Sequence, residues 1–270
     1  MRLVGSYELI STTRFDPFLL TLAWNDGQDG PSDFLLLPYH FDRLVYAAEL
    51  HGWDSVKGSL TYDRLKSVCR TTLTSYVNQE NTSRALKIRL VLSKTGAFTV
   101  DILPTISLAS DPTAISLFSP TSDNDPPETV PILTIHIDNQ PTPTSIFTST
   151  KTTERTVYND ARARIGLPLG PSSALAESDV LLYNPDYLIT ETSIFNVAFY
   201  RSSSWVTPPV STGCLPGVFR RWLLEQGRIR EADRHSLTKD NVKEGEWVLL
   251  FNGVQGCRLG RIACGNFKTA

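Results

Sequence analysis

Four short segments of the chain hold residue types that could do chemistry. Tyr39-His40-Phe41-Asp42-Arg43-Leu44 opens a helical pattern, which puts Arg43 about one turn into a helix, where a guanidinium can grip two oxygens of an anion at once. Ser149-Thr150-Lys151-Thr152-Thr153-Glu154-Arg155 offers Lys151, whose amine is a nucleophile in a suitable pocket and a solvated cation elsewhere. Glu191-Thr192-Ser193-Ile194-Phe195-Asn196 follows the strand-like Tyr187–Thr190 and sets a carboxylate on a hairpin. Gly213-Cys214-Leu215-Pro216-Gly217-Val218-Phe219-Arg220 runs into a helix, whose first N–H groups and positive dipole end favour an anion. Taken singly, each has a plainer explanation: a capped surface helix, a loop lysine, an exposed hairpin acid, a Pro-Gly turn.

Other chemistries find no support. The sequence has no GxxxxGK[ST], HExxH, GxSxG or intact GxGxxG pattern. Cys69, Cys214, Cys257 and Cys264 form no CxxC pair, and His40, His51, His136 and His235 show no metal spacing, so no metal site is expected. With 26 Lys+Arg against 28 Asp+Glu the formal charge is −2, which argues against a protein built to bind nucleic-acid backbones. No run of about 18 apolar residues is present, and polar residues interrupt the N-terminal stretch before a signal peptide could form. The expectation is a soluble cytoplasmic protein with reduced thiols and no membrane contact. Asn81-Thr82-Ser83 reads as a polar turn.

The positions of these segments depend on the surrounding elements. Phe34–Leu37 is an apolar run suited to a buried strand, and Pro38 stands where a helix can begin. Phe41, Leu44, Val45 and Ala48 share a helical face that Gly52 ends. The spacing predicts a second helix over 61–79, a half-buried strand over Leu86–Leu92, a turn at Lys94-Thr95-Gly96 and a partner strand over Phe98–Leu103. Prolines among Ser, Thr and Asp then mark an interdomain connection at 109–130, with Ile115–Phe118 as an embedded strand. Beyond it the pattern predicts a strand at Ile132–Ile137, a helix over Thr153–Gly166, strands at Asp179–Tyr183, Tyr187–Thr190, Val197–Tyr200, Ser204–Val206 and Trp247–Asn252, and a helix at Val218–Gln226 stopped by Gly227. The class is α+β, with a smaller N-terminal domain at 1–108 and a larger C-terminal one at 131–270.

In this order and spacing, the four segments resemble fold-type IV pyridoxal-phosphate (PLP) enzymes, the class IV aminotransferase-like group that holds branched-chain and D-amino-acid aminotransferases and aminodeoxychorismate lyase. Leu9-Ile10-Ser11-Thr12-Thr13-Arg14 and Lys151-Thr152-Thr153-x-Arg155-x-x-Tyr158 are similar to the short, lyase-like members. The resemblance implies two α/β domains with the cofactor held between them, a homodimer, and a small-molecule amino substrate. It makes Lys151 the Schiff-base lysine, Glu191 the acid against the pyridine nitrogen, and Arg43 the phosphate anchor. Gly217, Val218 and Phe219 become backbone donors to the phosphate, and Asn252 with Gly253 a further cofactor contact, although Asn-Gly is equally an ordinary tight turn. Arg14, Arg89 and Arg155 become possible carboxylate binders for the substrate. Family members commonly have Thr where Phe219 stands, and polar residues where Ile194 and Phe195 stand. The resemblance leaves three functions: a lyase that forms 4-aminobenzoate and pyruvate in folate biosynthesis, an aminotransferase, or a non-catalytic relative in which those three apolar residues are signs of decay.

Overall fold

The computed structural model describes residues 6–80, 85–120, 126, 130–169 and 177–263. Asn81-Thr82-Ser83, Cys264 and parts of the 109–130 stretch lie outside the described residues. The chain divides into two compact units, Met1–Asp111 with Thr150–Glu154, and Pro112–Ser149 with Arg155–Ala270.

The first unit runs β1 (Leu9–Phe15), β2 (Asp26–Gly27), β3 (Gly30–Pro31), α1 (Leu37–Leu50), α2 (Asp54–Ser59), α3 (Tyr62–Glu80), β4 (Leu86–Leu92) and β5 (Phe98–Pro104). Strands β1, β4 and β5 form an antiparallel sheet in that order, with Ser11 opposite Leu90 and Thr13 opposite Ile88. The alternation in β4 does what its period predicts: Leu86, Ile88, Leu90 and Leu92 are fully buried and pack with Leu44, Ala47 and Ala48 of α1 and with Leu65, Cys69 and Leu73 of α3. The Phe34–Leu37 run is not a strand. Phe34 makes a single bridge to Phe15, and Leu36 takes the left-handed conformation at φ 50°, turning the chain so that Pro38 sits in the first turn of α1.

Residues 150–153 complete this unit by pairing with the other edge of β1. Ile10 N–H donates to the Lys151 carbonyl at 2.9 Å, Thr153 N–H donates to the Glu8 carbonyl at 2.9 Å, and Leu9 bridges Thr152. Lys151 therefore belongs, by its contacts, with the N-terminal unit and not with the C-terminal residues among which the chain order places it. The same pairing shortens the expected helix. Thr152 lies in the bridge to Leu9, Thr153 lies in a bend, and α5 begins only at Thr156.

The second unit runs β6 (Ile132–Ile137), α4 (Ile146–Ser149), α5 (Thr156–Arg164), β7 (Ser178–Tyr183), β8 (Ile189–Thr192), β9 (Asn196–Arg201), β10 (Ser204–Thr207), α6 (Val218–Glu225), β11 (Arg230–Glu231), β12 (Trp247–Asn252) and β13 (Gly256–Ile262). Its eight-stranded sheet has the order β11-β10-β9-β12-β13-β6-β7-β8. Strands β8 and β9 stand five places apart in that order, about 24 Å if the sheet were flat. Yet Thr192 N–H donates to the Phe195 carbonyl at 2.8 Å across the turn that joins them, so the sheet must curl. Leu181, Tyr183, Ile189, Phe195, Val197, Phe199, Val248 and Leu250 form the core that this curl encloses. Ile115–Phe118 is not a strand but part of a short 3-10 turn, Ala114–Leu117. The adjoining chain is tied down by Cys257 N–H to the Pro112 carbonyl and by Trp205 Nε1 to the Phe118 carbonyl.

Among the described residues no helix is long and apolar enough to cross a membrane. Cys69 and Cys214 are buried free thiols, and burial pushes each up to about 12. Both should therefore resist iodoacetamide in the folded chain at about pH 8 and react fully in denaturant. Peptide mass spectrometry reads each site separately, and native labelling at the denatured rate would contradict the packing.

Candidate active site

The N-terminal unit gathers Ser11, His40, Arg43 and Lys151. His40 and Arg43 lie one turn apart on α1, and Ser11 lies on β1, which packs against that helix. Arg43 Nη2 donates to Ser11 Oγ at 2.9 Å, and the same Oγ lies 2.8 Å from His40 Nδ1. The Nε of Arg43 is buried and has no hydrogen-bond partner among the described residues, and burial lowers the guanidinium to about 10. His40 is fully buried. Burial, then the charges of Arg43 and Lys151, hold it well below the usual histidine range. The Lys151 segment has a second tether: His51 bonds Thr150 Oγ1 through Nε2 and Tyr7 Oη through Nδ1, both at 2.8 Å.

The C-terminal unit gathers Tyr158, Glu191, Asn196, Leu215 and Gly217. Glu191 sits within β8 and is buried, so it is not the exposed hairpin acid that its sequence also allows. Tyr158 Oη donates to Glu191 Oε1 at 2.8 Å, Leu215 N–H to the same oxygen at 3.3 Å, and Asn196 Nδ2 to Oε2 at 3.3 Å. These donors orient a carboxylate in a buried place where an unsatisfied one would be costly. Burial, then the Glu191 charge, pushes the Tyr158 phenol well above its ordinary value, so it remains a donor. Gly217 precedes α6, whose first turn has no side-chain cap. A Cβ at position 217 would stand 1.9 Å from Asn196 Oδ1, so only glycine lets the chain pass this close.

The turn after Glu191 is anchored from beneath. Arg162 Nη1 donates to Ser193 Oγ at 2.8 Å and to Asp179 Oδ1 at 3.2 Å, and Ile194 N–H donates to Asp179 Oδ2 at 3.2 Å. Arg155 donates to the Ser193 carbonyl at 2.7 Å and lies 4.8 Å over the Tyr158 ring. It thus braces the hairpin, a different task from the substrate binding expected of it. Phe195 and Phe219 are almost wholly buried. Phe195 belongs to the sheet core, and the Phe219 ring lies 5.9 Å from Trp222, so its phenyl packs inward and does not shape a substrate surface. Packing accounts for Phe195 and Phe219, and Ile194 is partly buried against the same core as Phe195.

Three further expectations need correction. Arg14 is buried, paired with Asp16 at 3.0 Å and bonded to the Ile106 carbonyl, so it braces its own unit. Arg89 pairs across β4 and β5 with Asp101 at 2.7 Å on the exposed side of the strand. Asn252 accepts Val254 and Gln255 N–H at 2.9 and 2.8 Å, closing the Asn252-Gly253 turn, while its Nδ2 reaches the Ile194 carbonyl at 3.3 Å. Here the tight-turn explanation prevails, with one thread to the Glu191 hairpin. Sequence reasoning gave no role to Ser11, His40 or Asn196. Tyr158 could have been found from its place on the buried face of α5 with Ala161, whereas Ser11 carries no signal until β1 and α1 meet.

Each unit by itself offers donors that suit PLP: the first has an incompletely satisfied buried guanidinium and an amine, and the second has a buried, oriented carboxylate beside a glycine that permits close approach. The sequence profile of the family "Amino-transferase class IV" matches residues 21–261. The chain belongs to the class IV aminotransferase family. Such proteins are PLP-dependent enzymes, and this chain is one of them. A Schizosaccharomyces pombe protein provisionally named aminodeoxychorismate lyase is 34% identical over 222 residues, which is 82% of this chain and 80% of that one. Aminodeoxychorismate lyase of Saccharomyces cerevisiae is 32% identical over 207 residues, 67% of this chain and 53% of the relative. A hypothetical aminotransferase from Mycobacterium tuberculosis, solved in a PLP-bound form, shares the fold with a TM-score of 0.61 at 16% identity, covering 96% of this chain and 82% of its own.

Two outcomes follow from this geometry. Tyr158→Phe deletes a buried donor to Glu191 and should cost about 1–3 kcal/mol in urea unfolding of the cofactor-free chain; an unchanged midpoint would remove Tyr158 from the network. His40 stays neutral when folded and takes up a proton only on unfolding, once the pH falls below about 6.5. Its contribution is complete above that pH and is lost as pH falls towards the folded value, at about 1.4 kcal/mol per pH unit. Stability measured at about pH 7.5 and about pH 5.5 should drop further in wild type than in His40→Gln. Equal drops would mean that His40 titrates normally.

Proposed function

We propose that the protein is an aminodeoxychorismate lyase, converting 4-amino-4-deoxychorismate to 4-aminobenzoate and pyruvate. The observation that carries this reading is the 34% identity with a lyase-named relative over about four fifths of both chains, supported by the Lys-Thr-Thr-x-Arg segment around Lys151. When bound, PLP supplies an aldehyde that condenses with amines and a ring that withdraws electrons from the carbon beside them. Lys151 is the residue that holds the aldehyde and then removes the proton from the substrate carbon bearing the amine. Loss of that proton and of the enolpyruvyl group leaves an aromatic ring, which helps drive the step. Glu191, oriented by Tyr158, Asn196 and the Leu215 N–H, would pair with the pyridine nitrogen and keep it protonated. Arg43 would hold the phosphate, and the Gly217-Val218-Phe219 backbone would donate to it. The reading also takes the protein to act as a cytoplasmic homodimer in folate biosynthesis.

A second reading, amino transfer between amino acids or amines and keto acids, is favoured by the family's own description. It uses the same Lys151, Glu191 and Arg43, so product analysis has to divide the two.

Purified protein should be yellow, borohydride should link the cofactor to Lys151, and Lys151→Ala should abolish both the link and turnover. With aminodeoxychorismate, 4-aminobenzoate and pyruvate should form in equal amounts without an amino acceptor. Amino transfer from a donor panel to a keto acid, with no 4-aminobenzoate formed, would decide for the second reading.

A further inference from the structure

The cluster around Ser11 holds more than an arginine. Among the described residues, His40 Nε2 is buried and has no hydrogen-bond partner, and Arg43 Nε, one turn along the same helix, is in the same condition. Buried nitrogens are nearly always satisfied, so two on one helical face point to something both are built to meet.

Ser11 decides which nitrogen of His40 carries the proton. A guanidinium can only donate, so Ser11 Oγ accepts from Arg43 Nη2. The sole other partner of Ser11 Oγ among the described residues is His40 Nδ1. The serine proton is satisfied only by pointing at that nitrogen, which makes Nδ1 the acceptor and leaves the imidazole proton on Nε2. The orphan is therefore an N–H, as is the orphan on Arg43. Two buried donors with no acceptor, in a cluster that also carries the charges of Arg43 and Lys151, call for an anion. A cation or an apolar group would leave both unsatisfied.

We infer that His40 donates its Nε2–H to the phosphate of the bound cofactor, beside Arg43, and that Ser11 sets the tautomer which allows it. The inference rests on the PLP reading above and adds a specific contact to it. A hydrogen bond from a neutral ring also fits the charge balance, since it adds a donor next to Arg43 without adding a third positive charge.

The test compares PLP with pyridoxal, the same ring without the phosphate, on the full chain freed of cofactor. In wild type, His40→Leu and His40→Gln, equilibrium dialysis gives both affinities. His40→Leu should weaken PLP about tenfold or more and leave pyridoxal unchanged. His40→Gln should lose less, because the glutamine amide can still donate from near the Nε2 position. Equal weakening of PLP and pyridoxal would make His40 a packing residue, and no weakening of either would remove it from the site; both overturn the inference. A wild type that binds neither compound overturns the PLP reading itself, a result distinct from the other two. If His40→Leu does not fold, nitrogen-15 spectra of histidine-labelled wild type decide the matter. The proton should be found on Nε2, and its signal should shift when PLP or inorganic phosphate is added. A proton on Nδ1, or a signal indifferent to both ligands, would sink the proposal.

Discussion

The backbone pairing of residues 150–153 with residues 8–10 is the constraint on which the candidate chemistry depends. A lysine side chain is long and loses much rotamer entropy when fixed, so its usefulness rests on how well its backbone is held. Here two main-chain hydrogen bonds and a bridge set Lys151 against β1, and the His51–Thr150 contact adds a side-chain tether. The strand it joins is the one that presents Ser11 to Arg43 and His40. Without the pairing, Lys151 would be the solvated loop cation that its local sequence equally describes.

Partnership marks Arg43 off from many of the other arginines. Arg14, Arg89, Arg162, Arg164, Arg201 and Arg220 each pair with a carboxylate, and a guanidinium neutralised in this way has little field left for a ligand. Arg43 is held by a serine hydroxyl, with no carboxylate paired to it among the described residues. It is buried at some cost, visible in its lowered basicity, yet it keeps its charge for use. Glu191 is oriented by a phenol, an amide and a backbone N–H, donors that aim a carboxylate and leave its charge in place. Such sites are stabilised by what binds them, so the cofactor should contribute to folding stability as well as to chemistry.

How far the sequence foretold this can be followed residue by residue. Where one face of an element is buried, periodicity was a sound guide: β4 alternates from Leu86 to Leu90 before Val91 is buried too, and α1 and α3 carry their apolar stripes. It failed where local pattern and tertiary setting diverge. The Phe34–Leu37 run has strand composition, but it turns through a left-handed Leu36. Strand β13 escaped notice because Gly256, Arg258, Gly260 and Arg261 interrupt any alternation. Gly260 is there because a Cβ would meet Ile135, Leu250 and Val248 at 3.0–3.1 Å, a demand made by neighbouring strands. For the candidate site, the resemblance pointed to Lys151, Arg43, Glu191 and Gly217. The fates of Arg14 and Arg89 and the task of Ser11 turn on partners distant in sequence, which no local pattern encodes.

The threading of the chain has a consequence for how the molecule can be made. After Asp111 the polypeptide leaves the first unit, builds 112–149 into the second, returns for Thr150–Glu154, and leaves again. No single cut separates the two units. A ribosome that has released residues 1–111 has not yet released the segment that covers the outer edge of β1, so the growing N-terminal unit carries an open strand edge for a further stretch of synthesis. The last piece to close that edge is the one that carries Lys151. Completion of the first unit and arrival of Lys151 are thus one event, and a chain stalled before residue 150 would both lack that lysine and be prone to pair with its neighbours.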